Sequence, residues 1–512
     1  MTILLESFAG WTWSASALCL TAIFCAWLLY GYSQQSHVPG PPLASLSNLP
    51  RLLWARSGKA HETYISLHEK YGDLVRVGPN IISVGDPRAL SSIYGITANF
   101  GKSDYYRVLQ PMSKGRIIPG LFHTQDEKLH RLMKRPIASI YSMSSLVEFE
   151  PYVNTTISFL FKRLEEVQAK SGRACDLGVW LQWLAFDVMG EITFSKRLGF
   201  LDEARDVEGI MESIWNSFQY ASWVGQMPWL DRLWVKNSYV SRIMPEKNNP
   251  IVSFALARAF ERQRGLDEKH GSSGYNSRDF MSRFLEARVK DPSIPEWYVT
   301  AWATSNVLAG SDTTAIVLRS IIYFLLKNPP SLLKLQEELS LAQSDGRLSD
   351  IVTWKESREL PYLDACVKEA GRLHPPIGLL LERVVPKGGV TLCGKYFKEG
   401  TVVGMNPWVV HRNKDVFGHD ADQWNPDRWL GDMERRILME KSLLTFGAGH
   451  RTCIGKNISY LEIYKLIPTM FARYDITFAN PEKEWTVTNR WLVIQKHLEV
   501  RLQKRLGPKC HY

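Results

Sequence analysis

The sequence predicts a mainly helical protein with a small β-rich lobe and one transmembrane helix before it. Three observations carry this prediction. Residues 11–30 form an uncharged apolar run, and residues 74–85 show the short apolar alternation typical of strands. From about residue 123 onward, helical patterns separated by breakers dominate. The composition suits a folded body, since 45% of the 512 residues are hydrophobic and 22% are charged.

Residues 11–30 are predicted to anchor the protein in a membrane. As a helix this run would be roughly 30 Å long, enough to cross a bilayer. Tryptophans and Tyr30 stand at its ends, as is typical of a membrane interface. The one charge before it is Glu6, so the basic region of a secretory signal peptide is missing. A cleaved signal peptide is the alternative.

Positive charges and prolines follow the apolar run. Arg51, Arg56 and Lys59 place the body on the cytosolic side by the positive-inside rule. The prolines of HVPGPP (37–42) fix φ and predict a stiff, extended segment. We therefore divide the chain into an anchor, a proline-rich hinge and a folded body, at residues 1–32, 33–45 and 46–512.

Charge and cysteine usage narrow the class of protein. The seven cysteines form no CxxC pair and their number is odd, which favours a reduced, cytosol-facing protein. The net charge of +10 suits nucleic acid, anionic lipid or an acidic protein partner. Because no basic block or zinc-finger spacing occurs, nucleic acid is the weakest of the three.

The second half of the body is expected to contain long helices. A capping-box spacing at Ser293–Glu296 opens the first, which reaches Lys327 with Gly310 as its one interruption. Proline and other breakers then separate further elements. They are a helix from Pro330, a helix at 360–373, short strands within 384–404, a helix from about 454, and an exposed polar loop at 264–278.

Three stretches carry residues suited to chemistry. Within the first long helix, Asp312 and Thr313 follow Gly310, and a neighbouring acid and alcohol can relay protons, although an incidental polar notch is the alternative. Glu369 lies three residues before Arg372 on one helix face, a spacing common on exposed helices. Arg428 stands among aromatic residues, where burial requires a carboxylate, and we expect Glu369 to bind both arginines.

The third stretch is FGAGHRTCIG at 446–455, which sets a lone thiol, Cys453, among glycines and positive charge. A nucleophile, a metal ligand and a buried apolar residue are all open for such a cysteine. A dinucleotide loop would need glycine at Thr452 and a preceding strand pattern, and both are missing.

The order of these stretches resembles the cytochromes P450 over essentially the whole chain: AGSDTT at 309–314, ExxR at 369–372, PDRW at 426–429 and FxxGxRxCxG at 446–455. The resemblance implies the cytochrome P450 fold, one haem b in residues 46–512, and Cys453 as the axial thiolate of its iron. It also implies roles for other residues. Gly447, Gly449 and Gly455 would aim amides at the sulfur; Phe446 would pack beside the porphyrin; Arg451, Arg383, His130 and Lys134 would hold propionates; Asp312 and Thr313 would deliver protons; Gly310 would leave room above the iron; Glu369, Arg372 and Arg428 would be structural.

By the same resemblance, the protein is an O₂-dependent monooxygenase. A P450-type isomerase or dehydratase and a non-catalytic haem protein are the alternatives. No flavin domain follows Cys453, so electrons are expected from a separate NADPH–cytochrome P450 reductase. The expected setting is a monomer spanning the endoplasmic reticulum membrane once, with its catalytic domain in the cytosol. Five basic residues are predicted to dock the reductase: Lys128, Arg131, Arg135, Lys441 and Lys456.

Two stretches, 130–153 and 375–413, look like the fungal pisatin-demethylase-like members of this family, which often act in secondary metabolism. The substrate pocket would be lined by apolar residues, so a lipophilic substrate is expected, with terpenoid, polyketide and aromatic compounds all open. Hydroxylation, demethylation or successive oxidations would follow. The lining segments are 100–122, 302–313, 377–381 and 491–493.

Overall fold

The computed structural model describes residues 15–23, 25–26, 31–113, 116–171, 174–237, 239–240, 250–263 and 279–505. This part of the chain is mainly helical with small sheets, as the sequence predicts. The expected loop at 264–278 lies outside the described residues. The longer helices are Leu49–Ser57, Ala60–Tyr71, Glu127–Lys134, Glu150–Ser171, Leu177–Phe194, Ile210–Val224, Pro250–Gln263, Phe280–Lys290, Trp297–Lys327, Pro329–Ser344, Pro361–Leu373, Met433–Lys441 and Lys456–Arg473.

Shorter helices join these elements. They are Pro42–Leu46, Leu90–Tyr94, Tyr105–Val108, Met143–Leu146, Phe200–Glu203, Pro228–Leu233, Trp354–Ser357, Pro407–Val410 and Lys414–Phe417. The predicted helix ends at Lys327 and Leu373 agree with the structure, because proline follows each of them closely. The predicted capping box at Ser293 is wrong. The long helix begins at Trp297 without a side-chain cap, and the Ser293 hydroxyl donates to Asp291 at 2.6 Å.

The strands form one larger sheet and several small ones. The larger sheet has the order Leu74–Gly78, Ile81–Val84, Val402–Gly404, Arg383–Val384 and Gly101–Lys102. Its second and third strands are parallel and its other pairs are antiparallel. The remaining sheets are Tyr474–Phe478 with Glu499–Lys504 and Cys175–Asp176; Thr486–Arg490 with Leu492–Lys496; Val390–Leu392 with Lys395–Phe397; and Met112–Ser113 with Arg116–Ile117.

Trp297–Lys327, here called the long helix, runs through the main hydrophobic core. Its apolar side chains pack with those of the helices Leu177–Phe194 and Lys456–Arg473. It is buried almost all round, as expected for a helix that is apolar on every face. Different faces of the long helix therefore contact the helices Leu177–Phe194 and Lys456–Arg473 at the centre of the protein.

The membrane anchor remains a prediction. Residues 15–23 and 25–26 are helical and exposed, and the rest of the apolar run at 11–30 lies outside the described residues. Among described helices, the long helix alone is apolar and long enough to span a bilayer, and 72% of its apolar stretch is buried inside the protein. It is therefore part of the core.

The predicted hinge is bound to the body. The amide of Arg76, buried in the first strand, donates to the Pro39 oxygen at 2.8 Å, and its guanidinium donates to the oxygens of Gly31 and Tyr32, just before the hinge, at 2.7 Å each. Pro41 is extended as expected, whereas Pro42–Leu46 form a short helix. Because Arg76 also binds the Pro79 oxygen at 2.7 Å, it fastens this segment to the turn between the first two strands.

Candidate functional site

The loop 446–455 is folded back on itself by hydrogen bonds and glycines. The Cys453 amide donates to the Phe446 oxygen at 2.8 Å, which closes the loop. Gly447 and Gly449 adopt φ values of +67° and +64°, a conformation that side chains disfavour. A Cβ on Gly449 would lie 1.6 Å from the Tyr94 oxygen, so only glycine allows this approach. The glycines thus set the path of the backbone around Cys453.

The Cys453 thiol borders an internal space. Part of the residue surface is accessible, but protein atoms surround the thiol on most sides. This burial raises the pKa of the Cys453 thiol above its usual value. The backbone amides of Gly455 and Lys456 oppose this rise by hydrogen bonding to the sulfur. A Cβ on Gly455 would sit 3.9 Å from Sγ. Of the predicted amide donors, Gly455 bonds to the sulfur, joined by Lys456, whereas the Gly447 amide donates to the Leu444 oxygen at 2.9 Å.

A group of basic side chains, here called the basic cluster, lies near this loop: Lys102, His130, Lys134, Arg383 and Arg451. Burial, together with repulsion from Arg383 and Arg451, lowers the pKa of Lys102 far below its usual range. Burial and the neighbouring cations also lower the pKa of His130 to about 3. In the described part of the chain, Lys102, Lys134 and Arg383 form no ion pair with a carboxylate.

Arg451 is held by Glu127, which sequence reasoning missed. Its Nη2 donates to the Glu127 carboxylate at 2.8 Å and to the Thr124 oxygen at 3.0 Å. His450, to which the sequence assigns no role, also contacts Glu127 at 3.1 Å through Nε2. No local pattern could have revealed these pairs, because Glu127 and Arg451 are 324 residues apart.

The other predicted members of the cluster occupy defined places. Lys134 Nζ donates to the His450 oxygen at 2.9 Å, so it fastens the helix Glu127–Lys134 to the cysteine loop. Arg383 is buried and stacks over the Tyr94 ring at 5.0 Å. Lys102, unmarked by any motif, lies over the rings of Tyr106 and Phe122 at about 4 Å. Arg451 has one carboxylate partner, Glu127, and the charges of Lys134 and Arg383 nearby leave a net positive charge that a ligand with acidic groups would neutralise.

The long helix turns its two predicted catalytic residues in different directions. Ala309 is exposed and Thr313 half-buried, although Val307, Ser311 and Thr314 around them are buried. The Thr313 hydroxyl donates to the Ala309 oxygen at 2.7 Å. Residues four apart share a helix face, so Ala309 and Thr313 together border an open space.

Asp312 faces the opposite way, toward the helix Leu177–Phe194. Its carboxylate accepts a hydrogen bond from Gln182 Nε2. Burial raises its pKa to about 6, although the Gln182 hydrogen bond and the charge of Arg319 oppose the rise. A carboxyl group with this pKa changes protonation close to neutral pH, as a general acid or base requires.

Gly310 also faces Leu177–Phe194. A Cβ there would lie 2.7 Å from Met189 Sδ, so the glycine allows the two helices to pack closely. Ala309 is exposed on the side of Thr313, whereas Gly310 is half-buried. Thr314 bonds to Ser459 at 2.8 Å and ties the long helix to the helix that follows Cys453.

Glu369 binds both arginines, as the sequence predicts. Arg372 donates to its two oxygens at 2.7 and 2.8 Å, and Arg428 Nε donates at 3.0 Å. Trp429 Nε1 adds a fourth bond at 2.9 Å. Arg372 continues to the His411 oxygen at 2.8 Å, and His411 accepts from the Leu444 amide at 2.7 Å. This buried network thus supports the start of the cysteine loop.

Phe446 lies against Tyr460, with ring centroids 5.1 Å apart and the rings nearly perpendicular. The Phe446 ring therefore packs on the helix Lys456–Arg473, and its place beside a porphyrin remains a prediction.

Comparison with known proteins agrees with this geometry. The family model described as cytochrome P450 matches residues 39–503. The cytochrome P450 monooxygenase cicH of Emericella nidulans is 52% identical over 92% of this chain and 94% of its own length. A cytochrome P450 monooxygenase of Aspergillus terreus is 52% identical over 89% of this chain and 93% of its own. The monooxygenase pkfB of Emericella nidulans is 43% identical over 96% of each chain. The chain belongs to the cytochrome P450 family.

Proposed function

We propose that the protein is a haem-thiolate monooxygenase that inserts one oxygen atom of O₂ into a lipophilic small molecule. The Cys453 thiol, bordered by amide donors and the basic cluster, is the observation that carries this proposal. The relatives cicH and pkfB bear the name cytochrome P450 monooxygenase, which supports it. When bound, haem supplies the redox chemistry that activates O₂.

The residues present fit haem. Cys453 would be its axial ligand, and Phe446 would pack against the porphyrin. Haem carries two propionates, and in the described chain Lys134 and Arg383 of the basic cluster pair with no carboxylate, whereas Arg451 pairs with Glu127. Arg383, Arg451, His130 and Lys134 would bind these propionates as the sequence predicts, with Lys102 beside them.

Asp312 and Thr313 would carry protons to the site. Asp312, whose pKa of about 6 lies near neutral, would take up and release protons. The Thr313 hydroxyl, fixed by its bond to Ala309, would pass them into the open space. The alternative of an isomerase or dehydratase gains no support from this intact acid and alcohol pair.

An apolar cluster supports a lipophilic substrate. Tyr105, Tyr106, Leu379, Leu380 and Trp491 are buried together, and they come from three of the four predicted pocket segments. Trp491 stacks on Tyr105 with ring centroids 5.0 Å apart. We propose that the substrate is a fungal secondary metabolite, since the relatives named above come from fungi. The reaction would be a hydroxylation, a demethylation or a series of oxidations. The pisatin-demethylase-like subgroup remains a prediction.

Electrons are proposed to come from a membrane-bound NADPH–cytochrome P450 reductase at the endoplasmic reticulum. The five predicted docking residues are all exposed: Lys128, Arg131, Arg135, Lys441 and Lys456. None of the five pairs with a carboxylate in the described part of the chain. Reversing the charge of Arg131 and Lys456 should slow reduction and weaken its dependence on salt, since steering by charge is screened by salt. The exposed Lys387→Glu is the control, and equal salt dependence in both variants would refute the docking surface.

The monooxygenase proposal is tested with full-length protein. Reduced protein under carbon monoxide should give the absorption of a thiolate-bound haem. Cys453→His should convert it to a histidine-type spectrum, whereas Cys393→Ser, at an exposed turn, should leave it unchanged. NADPH-dependent incorporation of oxygen from ¹⁸O₂ into compounds of a fungal metabolite extract should require the reductase. A histidine-type spectrum in the unchanged protein would refute the assignment.

A further inference from the structure

A series of buried hydrogen bonds begins at Asp312 and lies between the long helix and the helix Leu177–Phe194. Gln182 Nε2 donates to Asp312, and Gln182 Oε1 accepts from Arg319 Nη2 at 2.6 Å. Arg319 Nε donates to the Gly178 oxygen at 2.9 Å. Asp312, Gln182 and Arg319 are each less than one-tenth exposed. The amide of Gln182 therefore serves both charged groups at once, with its donor toward the acid and its acceptor toward the cation.

The spacing of these residues explains why they meet. Asp312 and Arg319 are seven residues apart, two turns along one face of the long helix. Gln182 and Gly178 are four apart on the helix Leu177–Phe194, which packs against that face. A Cβ on Gly178 would lie 3.0 Å from Arg319 Nε, so glycine leaves the space that the guanidinium fills. The contact is specific to these side chains.

A second carboxylate, that of Asp176, lies near Arg319 at the other end of this series of hydrogen bonds. The same Cβ on Gly178 would lie 3.1 Å from Asp176 Oδ1, so Asp176 is close enough to attract Arg319. This Asp176 oxygen is buried and has no hydrogen-bond partner among the described residues. Burial lowers the pKa of Arg319 to about 10, while Asp312 and Asp176 oppose that shift. Arg319 stays charged at neutral pH and lies between two carboxyl groups.

We propose that Gln182 and Arg319 are positioning residues for Asp312, holding its carboxylate on the side of the long helix away from Thr313 until it is protonated. The inference rests on the proposed function, in which Asp312 carries protons. An ionised Asp312 accepts the Gln182 bond and faces Arg319. Once protonated, it loses the charge that Arg319 attracts, and its hydroxyl is free to donate toward Thr313. Gln182 and Arg319 thereby set the pH at which the carboxyl group is released.

The groups facing Asp312 fix the direction of the expected shift. Gln182 and Arg319 favour its charged form, whereas burial and the charge of Asp206 favour its neutral form. Replacing Gln182 by methionine removes a donor to the charged form, so the titration midpoint of Asp312 should rise by about one pH unit, the size of one hydrogen bond. Gln182→Glu, which is closer in size, sets a second acid beside Asp312 and should raise it further.

A matched control lies in the strand Leu492–Lys496, which also contacts the long helix. Gln495 is also a buried glutamine, and its Nε2 donates to the long helix at the Ile316 oxygen, 3.1 Å, and at Ser320 Oγ, 2.8 Å. It has no bond to Asp312 among the contacts of the described residues. Gln495→Met therefore removes a glutamine bound to the long helix without changing the partners of Asp312.

Two measurements test the proposal with the full-length, haem-loaded protein. The first is an infrared titration of the Asp312 carboxyl band, obtained as the difference from Asp312→Asn. The second is the pH profile of NADPH-driven O₂ consumption with the reductase. Gln182→Met and Gln182→Glu should move the infrared midpoint and the inflection of the profile upward together, and Gln495→Met should move neither.

The outcomes separate the inference from the proposed function. An infrared midpoint in Gln182→Met within about 0.3 pH unit of the unchanged protein would overturn the positioning role, as would an infrared shift that leaves the pH profile in place. Loss of the thiolate spectrum in the unchanged protein would instead overturn the proposed function. If Gln182→Met binds no haem, Gln182→Glu provides both readings.

Discussion

Replacing Glu369 by glutamine is expected to destabilise the protein strongly. The carboxylate is fully buried and binds Arg372, whose side chain is 0% exposed, and Arg428, whose side chain is 4% exposed. Arg428 keeps a second carboxylate, Asp420, at 2.9 Å. Arg372 retains only backbone oxygens among the described residues, those of His411, Ala421 and Gln423. The substitution thus leaves the charge of Arg372 buried and uncompensated.

Breaking a buried ion pair from one side costs about 3–5 kcal/mol. Domains of this kind are stable by roughly 5–15 kcal/mol, so the loss is a large fraction of the total. Asp420→Asn should cost much less, about 1 kcal/mol, because Arg428 keeps Glu369 and Asp420 is partly exposed. The exposed Glu337→Gln should change stability by no more than about 0.5 kcal/mol.

The assay is urea unfolding of the purified proteins, followed by far-ultraviolet circular dichroism. The free energy of unfolding should fall in the order Glu337→Gln, Asp420→Asn and Glu369→Gln. If Glu369→Gln unfolds within about 0.5 kcal/mol of the unchanged protein, the argument from buried charge is refuted. A parallel loss of haem is expected, since the network reaches the cysteine loop through His411.

Three further predictions concern the core, the loop and acid stability. Glu462 is buried, with neither carboxyl oxygen bonded among the described residues, so Glu462→Met should raise the free energy of unfolding in urea by about 1–2 kcal/mol, and a decrease would contradict this. Gly449→Ala should abolish haem binding, measured as haem per protein, because its Cβ would collide with the Tyr94 oxygen; Gly431→Ala, with 3.9 Å of space, should bind haem normally. Burial lowers the pKa of three histidines to about 3, so they stay neutral in the folded state. In the unfolded chain a histidine binds a proton below about pH 6.5. Each buried histidine should therefore reduce the free energy of unfolding by up to about 1.4 kcal/mol per pH unit as the pH falls from 6.5 toward 3. Urea midpoints between pH 7 and 4.5 should show a weaker decline in His374→Gln than in the exposed His419→Gln, and equal declines would count against this linkage. The histidines are His61, His374 and His411.

Local sequence rules predicted the elements that depend on neighbouring residues. Proline and asparagine ended the long helix at Lys327, and alternation located the strands Leu74–Gly78 and Ile81–Val84. The capping box at Ser293 failed because Asp291 competes for the serine hydroxyl two residues away. Helix starts are decided by such short-range competition, which a spacing rule does not include.

The sequence by itself determined the family and the motifs of the candidate site. The cysteine and glycines of the loop 446–455, the acid and alcohol pair and the ExxR pair each need particular residue types at short, fixed spacing, so they are visible in the chain. Only the tertiary structure decided which distant groups join them. Glu127 pairs with Arg451, Lys102 enters the basic cluster, and Gln182 reaches Asp312 from another helix. These contacts depend on how helices pack side by side, and packing brings together residues whose separation along the chain carries no signal.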